Sequence, residues 1–121
     1  MEFDMIADLD ARKLNATKLK ALRKSTRLDQ RGFATLSNNS RETVIKFEKT
    51  GKVSAPAKRG IVEAVRLVQG LAEIMEPQNI ATWLKESNSG LRNKSPIDTI
   101  QEGRIDIIWS IIEESRQGTF A

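Results

Sequence analysis

The stretch DQRGFATLSNNSRETVIKFEKTG, residues 29–51, decides the fold, because its pattern predicts two short helices joined by a tight turn. Asp29 is placed to cap the first helix, since its carboxylate can accept from backbone N–H groups that lack a helical partner. The Ser-Asn-Asn sequence at 37–39 interrupts the pattern, and asparagine tolerates the left-handed conformation of such a turn. Ser40 is placed to cap the second helix, and Gly51 suits the position just beyond its end.

The second helix of this stretch has a packing side and an outward side. Its spacing places Val44, Phe47 and Glu48 on the packing side, whereas Lys46 and Lys49 point the other way. In helix-turn-helix proteins, the second helix of such a pair of helices lies exposed and presents its side chains to DNA. We predict base contacts from Arg41, Thr43 and Lys46, and phosphate contacts or helix positioning from the remaining candidates. The full set of predicted DNA-binding residues is Gln30, Arg31, Ser40, Arg41, Thr43, Lys46 and Lys49.

Charge is distributed unevenly along the chain. Residues 11–60 carry 14 Lys/Arg against 3 Asp/Glu, a net of +11, whereas residues 61–121 carry 6 against 9, or −3. The ten residues that precede them carry −4, so the formal net charge of the whole chain is only +4. A solvated charged surface would be the simpler explanation of a basic run. Because the basic half coincides with the paired helices, we favour binding to a polyanion, namely DNA.

Composition excludes several classes of function. With 121 residues, the chain suits one compact domain or two very small ones that share a core. It contains no cysteine and no histidine, which excludes disulfides, zinc sites built on those residues, and thiolate or imidazole chemistry. Glu113 and Glu114 are adjacent carboxylates, but neighbouring positions on a helix diverge by about 100°. We predict a protein that is not an enzyme and has no cofactor, metal or small-molecule substrate.

The composition also predicts where the protein works. Apolar residues make up 39% and charged residues 30% of the chain, which is ordinary for a soluble protein. No apolar run approaches the roughly 20 residues of a membrane span. The acidic start MEFDMIADLD lacks the basic and apolar regions of a signal peptide. We therefore predict a soluble cytoplasmic protein with no membrane partner.

Helices are predicted on both sides of the central stretch. The first dozen residues have little periodicity and are predicted to be a flexible arm or a frayed helical start. A helix begins near Asn15, with Arg23 among its outward residues. The segment KVSAPAKRG, residues 52–60, is predicted to be a connector, because Pro56 prevents a helix from running straight through it. A long amphipathic helix follows from Ile61 to Met75.

The second half of the chain is predicted to be helical as well. After Pro77, a short helix carries Trp83 as a core anchor, and Ser95 then caps a further short helix. The final helix, from about residue 104 to 117, has a wide apolar stripe that includes Ile107, Trp109 and Ile111. Burial in the core and an interface with a partner or a second copy explain this stripe equally well.

No strand signal appears, so the predicted fold class is all-α. The predicted organisation is an N-terminal helix-turn-helix DNA-binding region at residues 1–60, with its N-terminal arm. A long connecting helix and a small C-terminal helical region then make up residues 61–121.

Two segments resemble a known family. Residues 19–51 resemble the Xre-type helix-turn-helix of bacterial and phage repressors, although Asn38 and Asn39 stand where a glycine and an apolar residue are usual. Gly51 also lies one residue later than the usual glycine. The matching positions are Leu22-Arg23, Gln30, Phe33-Ala34, Ser40, Val44, Phe47 and Glu48.

Residues 83–118 are similar to the toxin-binding domain of the Xre/MbcA/ParS antitoxin family. Arg92-Asn93 replaces the Gly-Gly that this family often has, which adds a positive charge to the loop. The matching positions are Trp83-Leu84, Asn88, Leu91, Pro96-Ile97-Asp98, Ile100, Gly103 and Ile108 to Ile112.

The resemblance implies an antitoxin of a type II toxin–antitoxin system. Such proteins pair with RES-domain toxins that act on NAD, occlude the toxin's active site with the C-terminal half, and repress their own operon with the N-terminal half. For DNA, we expect a homodimer that places two recognition helices about 34 Å apart in successive major grooves of a palindromic operator. The competing hypothesis is a stand-alone dimeric Xre-family transcriptional repressor whose C-terminal helices only dimerise.

The candidate toxin-binding residues are polar or charged residues near apolar anchors in the C-terminal half. Their positive charges could occupy the phosphate-binding part of an NAD pocket. The alternative is that Asn88 caps its loop, Leu91 fills the core and the arginines are solvated. The candidates are Asn88, Leu91, Arg92, Lys94, Arg104 and Arg116.

Overall fold

A computed structural model describes residues 5–118 of the chain. This part contains seven α-helices, three short 3₁₀ turns and no β-strand, so the predicted all-α class is confirmed. No helix in it is long and apolar enough to cross a bilayer. The helices are α1 Ala16–Ser25, α2 Gln30–Ser37, α3 Arg41–Thr50, α4 Ala55–Ala72, α5 Ile80–Lys85, α6 Pro96–Gln101 and α7 Ile105–Arg116; the 3₁₀ turns are Ala11–Lys13, Pro77–Asn79 and Ser89–Leu91.

Side-chain caps begin the helices where the sequence predicts them. Asp29 Oδ1 accepts from the Gly32 backbone N–H at 2.7 Å and thereby starts α2. Ser40 Oγ accepts from the Thr43 N–H at 3.1 Å and starts α3. Asn38 ends α2 in the left-handed conformation, with φ 54°. The two short helices and the tight turn predicted for residues 29–51 are therefore present, and we refer to them as the α2–α3 unit.

Helix α4 lies at the centre of the molecule. It begins at Ala55, capped by Ser54, and Pro56 occupies its first turn. The prediction of a connector up to residue 60 was therefore wrong, because proline is compatible with the first turn of a helix, where its missing N–H has no partner to lose. Helix α4 packs against α2, α5, α7 and the turn Ala11–Lys13. One hydrophobic core contains residues from Ile6 to Ile112.

The backbone of α4 approaches the backbone of the turn in the α2–α3 unit closely. A Cβ atom on Gly60 would lie 2.1 Å from the carbonyl oxygen of Ser37, so only glycine allows this approach. Beside it, the Asn39 side-chain amide donates to the Ala57 carbonyl of α4 at 3.0 Å. Asn39 stands where Xre-type helix-turn-helix sequences usually have an apolar residue. The structure shows that this side chain instead joins the turn to α4 through hydrogen bonds.

The N-terminal segment is packed against α4. Ile6 and Leu9 belong to the core, and the Gln69 amide on α4 donates to their carbonyl oxygens at 2.9 and 2.7 Å. Asp10 caps the turn Ala11–Lys13. The prediction of a flexible arm or frayed helix was wrong for residues 5–12, because burial and a distant glutamine fix an irregular segment that has no periodicity. Residues 1–4 lie outside the described part of the chain.

The C-terminal half docks on the loop between α1 and α2. The Ala81 N–H of α5 donates to the Thr26 carbonyl at 3.2 Å, and Thr26 itself is buried. Helix α6 packs against α2. Helix α4 also runs through the predicted boundary between the two halves at residue 60. The two halves therefore share one core, and the position of the C-terminal helices depends on that of the α2–α3 unit.

We expect Gly60→Ala to lower the free energy of unfolding by about 3 kcal/mol, the upper part of the range for overpacked sites. The reason is that the Ser37 carbonyl belongs to the backbone and cannot move aside cheaply. Urea unfolding followed by circular dichroism measures the change.

Gly70→Ala in the same helix is the matched control. Its Cβ would lie 3.1 Å from the Trp109 ring and 3.2 Å from Ile112 Cδ1, which are side-chain atoms that can shift. Both changes gain about 1 kcal/mol of helix propensity. Equal stability of the two variants would contradict the role of the Gly60 approach.

Candidate functional site

A buried ion pair fixes the orientation of α3. Arg23 of α1 donates from Nε to Glu48 Oε2 at 2.6 Å and from Nη2 to Oε1 at 2.9 Å, while Nη1 donates to the Leu28 carbonyl at 3.0 Å. The two side chains are 11% and 4% exposed. The prediction that Arg23 faces outward was wrong, because its partner lies on another helix and helical spacing alone does not reveal it.

The protonation of Glu48 reflects this environment. Burial alone would raise the pKa of the Glu48 carboxyl, but hydrogen bonds from Arg23 and Gln30 outweigh it and hold the pKa below its ordinary value. The Gln30 side-chain amide lies 3.3 Å from Glu48 Oε1. The start of α2 and the middle of α3 are thus joined through one carboxylate.

The predicted DNA-binding residues fall into two groups. Gln30, Ser40 and Thr43 are engaged locally: Gln30 contacts Glu48, and the Ser40 and Thr43 hydroxyls lie 2.9 Å apart. Four others are exposed, and within residues 5–118 no carboxylate lies within ion-pairing distance of any of them. These four are Arg31, Arg41, Lys46 and Lys49.

Four of the six candidate toxin-binding residues meet at one small cavity. Leu91, Arg92, Lys94 and Arg104 line a space of about 370 Å³ between the turn Ser89–Leu91 and the start of α7. We call it the basic cavity. Two of its cations have acidic partners, Lys94 with Glu102 at 2.6 Å and Arg104 with Asp106 at 3.2 Å. Arg92 has none among the described residues.

The other two candidates lie elsewhere. Asn88 caps the turn Ser89–Leu91 by accepting from the Gly90 N–H at 2.8 Å, the structural role that the sequence offered as its alternative. Arg116, near the end of α7, donates to Glu73 just beyond α4 at 2.6 Å. Arg116 lines no part of the basic cavity. The structure therefore does not bring it together with the other cations.

A larger groove adjoins the basic cavity. It has a volume of about 1110 Å³ and shares Gly90, Leu91 and Ile107 with that cavity. Trp83, predicted to be a core anchor, is half-buried and lines the groove. The sequence indicated only the wall that α7 contributes to this site, because the other walls come from distant segments. Its apolar lining comprises Ile74, Met75, Trp83, Leu91, Ile107 and Ile111, and we call it the apolar groove.

The sequence left open whether the apolar stripe of α7 is buried in the core or forms an interface. In the structure, part of the stripe is buried and part remains exposed. Ile108 and Ile112 are fully buried. Trp109 packs over Gly70, whose added Cβ would lie 3.1 Å from the indole ring. Ile107 and Ile111 stay partly exposed and line the apolar groove.

Acidic side chains in the described part of the chain do not form a metal site. Residues 5–118 contain no group of three or more Asp or Glu side chains arranged to hold a metal ion. Glu113 pairs with Arg116 at 3.3 Å and accepts from the Gln117 amide. The geometry of these residues supports surface contacts and ion pairs.

Comparison with known structures identifies a similar fold. The chain superimposes on a chain in the crystal structure of the M. tuberculosis MbcT–MbcA toxin–antitoxin complex with a TM-score of 0.67. The chain has the fold of a protein from a toxin–antitoxin complex. The match covers 88% of this chain and 96% of that chain, at 18% sequence identity. No protein-family model and no curated protein sequence matches the chain.

We expect Glu48→Gln to lower the free energy of unfolding by about 3 kcal/mol at pH 7, because it leaves Arg23 buried without its counter-charge. The Glu48 pKa is lowered in the folded state, so its stabilisation is present above the unfolded pKa and is lost as pH falls through the folded value. The difference between wild type and variant should therefore shrink as pH falls below about 4.3.

Glu42→Gln is the matched control, since Glu42 lies on the same helix and is exposed. It should change stability by no more than about 0.5 kcal/mol. Urea titrations from pH 7 down to pH 3 measure both variants. A Glu48→Gln penalty that does not vary with pH would contradict the assigned protonation of this pair.

Proposed function

We propose that the chain is an antitoxin that binds and neutralises a toxin with its C-terminal half and binds operator DNA with the α2–α3 unit. The observation that carries the proposal is the fold, which matches 96% of a chain from a toxin–antitoxin complex. The separation of the candidate surfaces also supports it, because α3 contributes no residue to the basic cavity or the apolar groove. One chain can therefore hold two macromolecules at different sites.

In the finer form of the proposal, the toxin is a RES-domain protein that acts on NAD. This form rests on the resemblance of residues 83–118 to the Xre/MbcA/ParS toxin-binding domain. The basic cavity supports a toxin contact in this region, because its lining residues lie within the segment that carries the resemblance. Arg92 is the strongest candidate, since Glu102 and Asp106 already compensate its neighbours Lys94 and Arg104.

On DNA, we propose that a homodimer places two copies of α3 in successive major grooves about 34 Å apart. Arg41 and Lys46 then lie near base edges, where arginine binds guanine through two hydrogen bonds. Arg31 and Lys49 contact phosphates. Gln30 and Ser40 position the helix through the local bonds described above. We assign the same role to Thr43, for which the sequence predicted a base contact, because its hydroxyl is engaged with Ser40.

We expect replacement of Arg92, Lys94 and Arg104 by Ala to weaken the complex with the toxin at least tenfold, because the cavity loses all three positive charges. The toxin to use is the product of the reading frame beside this gene. Its expression should arrest growth, wild-type antitoxin should relieve the arrest, and the triple variant should relieve it poorly. Co-purification measures the affinity loss.

The control replaces Arg12, Lys13 and Arg66 by Ala, which removes the same charge from exposed positions outside the cavity. It should behave as wild type. If the triple cavity variant also binds as wild type, these residues do not contact the toxin. If the adjacent product is harmless and does not bind wild type, the chain is better explained as a stand-alone dimeric repressor.

We expect Arg41→Ala and Lys46→Ala to lower affinity for the DNA upstream of the gene and to relax its sequence selectivity, by about 1–3 kcal/mol for the arginine. Arg31→Ala and Lys49→Ala should instead weaken binding to all sequences and reduce the salt slope by about 1 each. Gel-shift titrations at several salt concentrations measure both effects. Arg66→Ala, on α4, is the control, and unchanged affinity and selectivity in the Arg41 and Lys46 variants would refute this placement.

A further inference from the structure

We propose that the apolar groove binds one amphipathic segment of the partner protein, in which lysine or arginine side chains flank an apolar stripe. This inference rests on the proposed antitoxin function, because the segment belongs to the toxin. It adds a binding site that adjoins the basic cavity and states the chemistry of its occupant.

The apolar lining is the first observation that carries this inference. The six apolar residues of the groove come from four parts of the chain, namely the segment just after α4, α5, the turn Ser89–Leu91 and α7. All except Leu91 are only half-buried, so part of their apolar surface remains in contact with water. At about 1110 Å³, the groove is large enough for the apolar face of a helix or a similar peptide segment, and its half-exposed apolar lining suits such a segment.

The charge at the groove determines what kind of segment fits. Glu73, Glu86 and Glu114 line it, and no lysine or arginine is among its described lining residues. Glu73 also pairs with Arg116 at 2.6 Å, which lowers its contribution. This acidic lining contrasts with the net positive charge of the whole chain. Electrostatic complementarity then favours a cationic segment whose apolar residues enter between the carboxylates.

A second copy of the chain fits this groove less well. A two-fold contact presents the same patch from both copies, so the acidic linings would face each other and repel. The basic N-terminal half of another copy could match the charge only in a head-to-tail contact, which tends to generate rings or open-ended assemblies. A separate cationic partner meets neither difficulty.

Two synthetic peptides test the chemistry of the occupant on the full chain. Each has about 15 residues and blocked ends, with leucine at helical spacing; one carries lysine at the remaining positions and the other carries glutamate. The two tryptophan indole N–H signals in ¹H–¹⁵N NMR spectra report the site. Trp83 lines the groove, whereas Trp109 packs over Gly70 and does not. Trp83→Phe assigns the two signals.

We expect the lysine peptide to shift the Trp83 signal saturably and to leave the Trp109 signal in place. The glutamate peptide should bind at least tenfold more weakly. The double change Ile107→Ser and Ile111→Ser should weaken the lysine peptide at least tenfold, whereas Val62→Ser, a half-buried residue on α4 outside the groove, should not. Equal binding of the two peptides, or no effect of the double change, would overturn the inference.

The co-expressed adjacent gene product separates this inference from the proposed function. The Ile107→Ser and Ile111→Ser double variant should lose the complex, and Val62→Ser should keep it. If the double variant keeps it, the groove inference fails while the antitoxin function stands. If wild type forms no complex, the antitoxin function fails and the inference about a partner fails with it. If the double change instead turns a dimer into a monomer in light scattering, the groove holds a second copy and the inference is wrong.

Discussion

The close approach of α4 to the turn between α2 and α3 is the constraint on which the other contacts depend. A side chain at Gly60 would collide with the Ser37 carbonyl, and the Asn39 amide joins the same turn to Ala57. Beyond this turn, the remainder of α4 packs against α5 and α7. The DNA-binding candidate helix and the cavity-forming segments are therefore fixed to one rigid element.

Local signals made much of this fold predictable from the sequence, and long-range contacts explain what was missed. Asp29, Ser40 and Ser95 cap helices through bonds that span three residues, so their spacing is visible in the chain. The Arg23 and Glu48 pair spans 25 residues, and the Gln69 contact with Ile6 spans 63. A charge on an amphipathic helix gives no sign of such a partner. Of the apolar groove, the sequence indicated only the exposed stripe of α7, because the walls come from four segments.

The candidate residues were predicted unevenly. Leu91, Arg92, Lys94 and Arg104 do come together at one cavity, whereas Arg116 is held away by its ion pair with Glu73. The cations of the α2–α3 unit and those of the C-terminal half also differ in whether they have acidic partners, which the sequence does not reveal. Arg31, Arg41, Lys46 and Lys49 have no acidic partner among residues 5–118, but most cations of the C-terminal half do. The first surface therefore suits a polyanion, and the second suits a protein whose surface carries both apolar and charged groups.

Hydrogen–deuterium exchange can locate both proposed binding surfaces on the full chain in a single measurement. The chain is compared alone, with the DNA upstream of its gene, and with the adjacent gene product. If the two surfaces act as proposed, DNA slows exchange in α3, and the protein partner slows it in α5, the turn Ser89–Leu91 and α7. Protection of α3 by the protein partner, or of α7 by DNA alone, would contradict the assignment of separate functions to the two halves.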